Sequence, residues 1–139
     1  MISLIQLRLT KQFTLGKNER VKSRKLTEQL FREGKRLNVP PFRIHYLTLK
    51  TEEHMLQFGV GVSSRTFKRS VDRNRVKRLL REAYRLQKLP LQQLVKEQEG
   101  GLAIFFVYTG RQLPVYAELY DRMGKSLADV CKLIKKPKT

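Results

Sequence analysis

The chemistry of this 139-residue sequence is concentrated in one cationic segment. Residues 65–88 carry ten lysines and arginines against two acids, Asp72 and Glu82. Arginine presents a planar fork of N–H donors that matches phosphate oxygens, and Asn74 can donate to and accept from sugars or base edges. The residues that we predict to contact a polyanion are Arg65, Lys68, Arg69, Arg73, Asn74, Arg75, Lys77, Arg78, Arg81 and Arg85.

The spacing of these residues predicts one continuous cationic face on a helix. Asn74 is followed at intervals of three and four by Lys77, Arg78, Arg81 and Arg85, so these side chains share one side of a helix. The alternative is an ordinary solvated face. Such a face usually mixes charges with partners four residues apart, and here only Glu82 offers one. The pattern therefore favours nucleic-acid binding.

The charge of the whole chain agrees with this interpretation. Thirty lysines and arginines against 12 acids give a formal net charge of +18, which is usually tolerated when a polyanion neutralises it. A membrane surface is a weaker candidate, because no long amphipathic helix with bulky apolar residues is evident.

The segment Met1–Leu9 is too short for a signal peptide. The single cysteine, Cys131, fits a reducing compartment and a core position. We therefore expect a cytoplasmic protein that contacts no membrane.

Hydrophobic periodicity predicts an α+β fold with helices packed against a small, mainly antiparallel sheet. A helix is expected from Ser23 to Gly34, a strong one over 71–88 and a last one over Pro114–Ile134, whereas 91–101 is expected to be a polar connector. The predicted strands are Phe42–Leu49, Met55–Ser63 and Leu102–Tyr108, with a possible extended piece at Leu4–Leu9 and a turn at Thr51–His54.

The expected organisation is a single RNA-binding α/β domain over 21–134. It is preceded by an N-terminal extension, 1–20, and followed by a basic tail, 135–139. The helix between the second and last predicted strands implies a crossover that can make those two strands parallel. The general preference would make this crossover right-handed.

The run Arg73-Asn74-Arg75-Val76-Lys77-Arg78, preceded by the glycine-bearing strand Phe58–Val62 and a short basic loop, resembles the signature of the bacterial ribonuclease P protein component. The resemblance implies a two-layer α/β sandwich, like the second domain of ribosomal protein S5, with an unusual left-handed β-α-β crossover. That expectation replaces the right-handed one. It also implies that the cationic helix faces a catalytic RNA, and that the protein assists removal of the 5′ leader from precursor tRNA.

The same resemblance implies a cleft between the first helix and the sheet that receives the single-stranded leader. Its matching residues are Phe31, Phe42, Lys35, Arg36 and His45, with Arg65 nearby. This sequence departs from the family at Leu26 or Thr27, at His45 and at Ser64, where an aromatic residue, a tyrosine and a lysine are expected. Phe31 and Phe42 can equally be core residues, and alternation with Ile44 and Tyr46 favours that reading for Phe42.

No residue is predicted to be catalytic or to bind a metal. His45 and His54 have no cysteine nearby, so a structural zinc site is not expected, and Glu52, Glu53, Glu97 and Glu99 lie in a turn and a connector. The resemblance implies that the RNA holds the magnesium ions. We expect the free protein to be a monomer. Two alternatives stay open: a ribosomal or other RNA-scaffold protein, and a stand-alone nuclease, for which the sequence nominates no carboxylate.

Overall fold

A computed structural model describes residues 19–21, 23–50, 55–98 and 100–134. It has four helices and four strands in these ranges. In chain order they are α1 (Arg24–Glu33), β1 (Lys35–Val39), β2 (Phe42–Leu49), β3 (Leu56–Val62), α2 (Ser70–Gln87), α3 (Leu89–Glu97), β4 (Gly101–Tyr108) and α4 (Tyr116–Ile134). The predicted piece at Leu4–Leu9, the turn at Thr51–His54 and the tail at 135–139 lie outside the described residues.

The four strands form one mixed sheet in the order β1-β2-β4-β3. Strand β2 pairs antiparallel with both β1 and β4, whereas β3 pairs in parallel with β4. The crossover between β3 and β4 consists of α2 and α3, so the prediction that these two strands become parallel is confirmed. The left-handed sense of the crossover stays a prediction.

The core lies between one face of the sheet and helices α2 to α4. The alternating residues Phe42, Ile44 and Tyr46 of β2 point into it, as the period of two in a strand requires. Helix α2 contributes Val76, Leu80, Ala83 and Tyr84, all buried. Helix α1 lies on the opposite face of the sheet, where it contacts β2 and β4. Three helices therefore pack on one face of the sheet, and α1 packs on the other.

Two elements were not predicted from the sequence. Strand β1 was missed because its residues are largely polar and exposed, and it is recognisable only by its pairing with β2. Helix α3 falls in the segment predicted to be a connector. Its Leu91 and Val95 are buried, and Pro90 occupies the first turn, where a missing N–H costs nothing. Pro90 begins this helix instead of merely following α2.

The remaining predicted elements are confirmed within one or two residues. Ser23 caps α1 by accepting a hydrogen bond from the N–H of Leu26 at 3.3 Å. Cys131 is half-buried and packs against the core, as expected. Among the described residues, no helix combines the length and the apolar character needed to cross a membrane.

Candidate nucleic-acid interface

The outer face of α2 is cationic because its inner face is fixed by the core. Tyr84 packs edge-on against Phe58 of β3 at 3.8 Å between ring centroids. Burial, with nearby Glu19, raises the pKa of the Tyr84 hydroxyl well above its usual value. This anchoring turns Asn74, Arg78 and Arg81 to the solvent. The predicted stripe is therefore presented on a rigid helix.

Arg73 holds a loop in place. Its Nη1 donates to the carbonyl oxygens of Phe67 and Lys68 at 2.8 and 2.9 Å, and its side chain is half-buried. Ser63 closes the other end of the loop, since its carbonyl accepts from the N–H groups of Thr66 and Phe67. The geometry thus gives Arg73 a structural role in addition to any RNA contact predicted for it.

The loop that Arg73 holds presents further cations beside the helix. Phe67 is buried and packs near Tyr108, which anchors the loop to the core. Arg65, Lys68 and Arg69 are exposed around this anchor. The loop and the first turns of α2 therefore form one continuous basic surface, in which Arg75 is exposed and Lys77 is half-buried.

Arg85, at the far end of the stripe, is neutralised in part by Glu82. Its Nη2 donates to Glu82 Oε1 at 2.5 Å and its Nε to Oε2 at 3.2 Å. These hydrogen bonds raise the pKa of the Arg85 guanidinium and lower that of the Glu82 carboxyl. The electrostatic attraction for phosphate is therefore concentrated in the first three turns of α2.

The second face of the sheet carries an aromatic site beneath α1. Phe31 of α1 meets His45 of β2 at 4.4 Å and Phe105 of β4 at 5.3 Å between ring centroids, both edge-on. Phe31 is 43% exposed. A large exposed ring supported by two other rings is well suited to stacking on a base. The structure therefore brings Phe31 and His45 together, and the binding of the leader at this place stays a prediction.

Two glycines of β3 explain how Phe105 fits. A Cβ on Gly59 would stand 2.5 Å from Phe105 Cδ2, and one on Gly61 would stand 2.9 Å from Cε1. The Phe105 ring lies over both residues, so neither position has room for a side chain. The face of β3 that carries Gly59 and Gly61 is thus covered by the Phe105 ring.

His45 is the buried polar centre of this site. It is 3% exposed, and its Nε2 has no hydrogen-bond partner among the described residues. Burial, followed by the charges of Arg43 and Arg36, lowers the pKa of the imidazole below its ordinary value of 6.5. The ring is therefore neutral at physiological pH, with one nitrogen able to accept and the other to donate a hydrogen bond.

The structure separates the five residues predicted for the cleft. Strand pairing places Arg36 opposite His45, on the cleft face. Lys35 pairs with Tyr46 and therefore points to the other face. Phe42 is 1% exposed in the core, where it packs edge-on against Phe106. The assignment of Phe42 to the cleft was wrong, because its parity in β2 is that of Ile44 and Tyr46.

Three residues near these surfaces were not nominated. Arg43 shares the cleft face with His45, and its buried Nε has no partner among the described residues. Phe105 was interpreted only as part of a buried strand, and Arg20 as part of an extension. Alternation along β2 could have placed Arg43 on the same face as His45. The position of Phe105 depends on which strands are neighbours in the sheet, and the sequence does not reveal this.

Nothing described resembles a metal centre. No group of three or more histidine, cysteine, aspartate or glutamate residues that could hold a metal ion occurs within the described ranges. His54 and three of the acidic residues considered earlier lie outside those ranges, and Glu97 is exposed at the end of α3. The absence of catalytic and metal-binding residues stays a prediction.

Solved structures with this fold exist. A Staphylococcus aureus RNase P protein aligns with a TM-score of 0.58 at 21% identity, covering 86% of this chain and 97% of that one. The RNase P protein of Thermotoga maritima aligns with a TM-score of 0.53 at 20% identity, covering 87% and 99%. At these identities the likeness establishes the α+β fold and its mixed four-stranded sheet.

Sequence comparison is more specific. The family described as ribonuclease P matches residues 15–130. The ribonuclease P protein component of Porphyromonas gingivalis is 38% identical over 118 residues, covering 83% of this chain and 85% of that protein. That of a Marinomonas species is 35% identical over 92 residues, covering 66% and 64%. The chain therefore belongs to the ribonuclease P protein family.

Proposed function

We propose that this chain binds the catalytic RNA of ribonuclease P and the 5′ leader of precursor tRNA, and assists endonucleolytic removal of that leader. The observation that carries the proposal is the exposed face of α2, where Asn74, Arg78 and Arg81 are held outward by a buried apolar stripe. Such a face attracts a polyanion by releasing its counterions.

The leader occupies the cleft beneath α1 in this proposal. Phe31 supplies the stacking surface, and Arg36 and Arg43 supply positive charge around the neutral His45. Within the described part of the chain, two buried nitrogens on this sheet face, Nε of Arg43 and Nε2 of His45, have no hydrogen-bond partner. Support comes from their shared position on one sheet face, next to a half-exposed aromatic ring.

The chemical step belongs to the RNA in this proposal. The described residues offer no cluster of metal-ligating side chains, and the protein contributes by neutralising phosphates and fixing RNA shape. Magnesium is held mainly by the RNA, where it activates the attacking water or stabilises the leaving oxygen. The free protein is a cytoplasmic monomer. Sedimentation of the purified chain tests the monomer, since a dimer would double the measured mass.

Cleavage of precursor tRNA by the cognate RNA at low magnesium, with and without the protein, tests the proposal. We expect stimulation by the wild-type chain, a smaller effect after Arg78→Ala with Arg81→Ala, and a normal effect after Arg32→Ala, which removes an exposed charge on α1. No stimulation by a folded chain that still binds RNA would favour a scaffold protein. Cleavage by the RNA-free chain would indicate a nuclease.

A further inference from the structure

Arg20 and Arg81 come together although they lie far apart in the sequence. Both line one cavity of about 240 Å³ beside β3, the outer strand of the sheet. The remaining lining residues are Val21, Phe58, Gly59, Val60 and Phe105. The cavity has an apolar floor and two guanidinium groups at its rim, since both arginines are exposed.

The two arginines repel each other in the free protein. Burial, with the charge of Arg20, lowers the pKa of the Arg81 guanidinium. Within the described part of the chain, no carboxylate forms an ion pair with either side chain. A single phosphate between the two groups would replace this repulsion by charge-assisted hydrogen bonds, which guanidinium groups make well.

Contacts of Arg20 and of its two sequence neighbours, Glu19 and Val21, hold Arg20 in position. Arg20 forms a parallel β-bridge with Phe58, and the Val21 N–H donates to the Phe58 carbonyl at 3.0 Å. The Glu19 carboxylate accepts from Lys88 Nζ at 2.9 Å and from Gln92 Nε2 at 3.3 Å. Lys88 is 1% exposed, so this ion pair is a deep anchor for the segment 19–21.

We propose that Arg20 and Arg81 bind one backbone phosphate of the RNA of ribonuclease P, and that the Glu19–Lys88 pair positions Arg20 for this contact. The proposal rests on the proposed function and extends the RNA surface from α2 to the segment 19–21. The RNA of ribonuclease P is favoured over the leader because Arg81 shares its helix face with Arg78 and Asn74.

Equilibrium binding of the full chain to that RNA, measured over a range of KCl concentrations, tests the contact. We expect Arg20→Ala and Arg81→Ala each to weaken binding. The double variant should lose less than the product of the two fold-losses, because both side chains hold one phosphate. Its salt slope should fall by about 0.7–0.9. Arg32→Ala, which removes the same charge elsewhere, is the matched control.

The positioning role of the ion pair has its own test. The double variant Glu19→Gln with Lys88→Met removes both charges while keeping the side-chain volumes similar. We expect it to weaken RNA binding to the level of Arg20→Ala, and adding Arg20→Ala should cause no further loss. Adding Arg78→Ala should still cause its full loss. Circular dichroism identifies a variant that is merely unfolded, and Arg20→Ala alone then decides the contact.

The possible outcomes separate the two proposals. If Arg78→Ala weakens binding while Arg20→Ala matches Arg32→Ala, the phosphate site is wrong and the proposed function stands. A multiplicative loss in the Arg20–Arg81 double variant would mean two separate phosphates and would overturn the shared site. An effect seen only with precursor tRNA, and absent with leaderless tRNA, would assign the site to the leader instead. If the wild-type chain does not bind the RNA, both proposals fall.

Discussion

Phe105 and Phe106 are neighbours on β4 and lie on opposite faces of the same sheet. Phe106 is fully buried, between Phe42 and Phe58 in the core. Phe105 lies on the cleft face, against Phe31 and the two glycines of β3. The core face is closed by three helices, whereas the one helix on the cleft face within the described ranges is α1. One side of the sheet is fully packed, and the other carries the half-exposed ring of Phe31.

The polar atoms show the same division. The buried side-chain nitrogens without hydrogen-bond partners, Arg43 Nε and His45 Nε2, both belong to the cleft face within the described ranges. An unsatisfied buried polar group costs about 1–3 kcal/mol. Within the described ranges, the cleft face therefore carries a cost in folding stability that the core face does not.

The largest expected effect contrasts the two phenylalanines directly. Phe106→Ala should lower the free energy of unfolding by about 3–5 kcal/mol, the usual cost of a large cavity in a packed core. Phe105→Ala should cost clearly less, because Phe105 is only half-buried. Urea denaturation of both variants measures the difference. Equal losses would mean that the two faces contribute equally to stability.

The second prediction contrasts two aromatic residues that were both nominated for the cleft. Phe31→Ala should weaken binding of a leader oligonucleotide by about 1–3 kcal/mol, the value of stacking on one base. Phe42→Ala should instead reduce stability and leave leader binding by the folded fraction unchanged. Fluorescence anisotropy with a labelled leader, beside urea denaturation, distinguishes them. A purely global destabilisation by Phe31→Ala would assign Phe31 to packing.

The third prediction compares the two ends of the cationic face. Arg78→Ala should reduce the salt slope of RNA binding by about 0.7–0.9, the value of one phosphate contact. Arg85→Ala should change the slope less, because Glu82 already neutralises that side chain. Filter binding at several KCl concentrations provides the slopes. Identical slopes for the wild type and Arg78→Ala would indicate that Arg78 is only solvated.

The smallest expected effect is a pH dependence that originates in the cleft. Because the pKa of His45 is lowered in the folded state, the unfolded chain binds a proton first as the pH falls below about 6.5. Folding stability should therefore decrease as the pH falls through this range. His45→Gln should reduce that dependence, as thermal unfolding between pH 7.5 and 5 would show. A stability that rises on acidification would contradict the buried neutral imidazole.

Helix α2 could be predicted from its residues because its signal is local. Apolar residues at Val76, Leu80, Ala83 and Tyr84 recur with the helical period over more than two turns, and the basic residues fill the opposite face. The cationic part of the candidate site follows from that helix alone. The structural role of Arg73 does not, because its acceptors are backbone carbonyls of a loop whose path depends on tertiary packing.

The cleft was less predictable because it depends on neighbours that meet only in the folded sheet. Strand parity contained enough information to reject Phe42 and to nominate Arg43. No sequence pattern shows that Phe105 lies across Gly59 and Gly61, since that contact requires β3 and β4 to be adjacent and parallel. Strand β1 was missed for the same reason. It lacks an alternating apolar pattern, and its strand conformation depends on its pairing with β2.

The Glu19–Lys88 ion pair also limits how early the segment 19–21 can reach its final contacts during synthesis of the chain. The two residues are 69 positions apart, which corresponds to roughly 3–14 seconds of chain elongation at bacterial rates. The segment around Glu19 therefore leaves the ribosome long before its anchor exists, and it can dock only after α2 and the start of α3 have been made. A nascent chain that ends before Lys88 cannot form this ion pair.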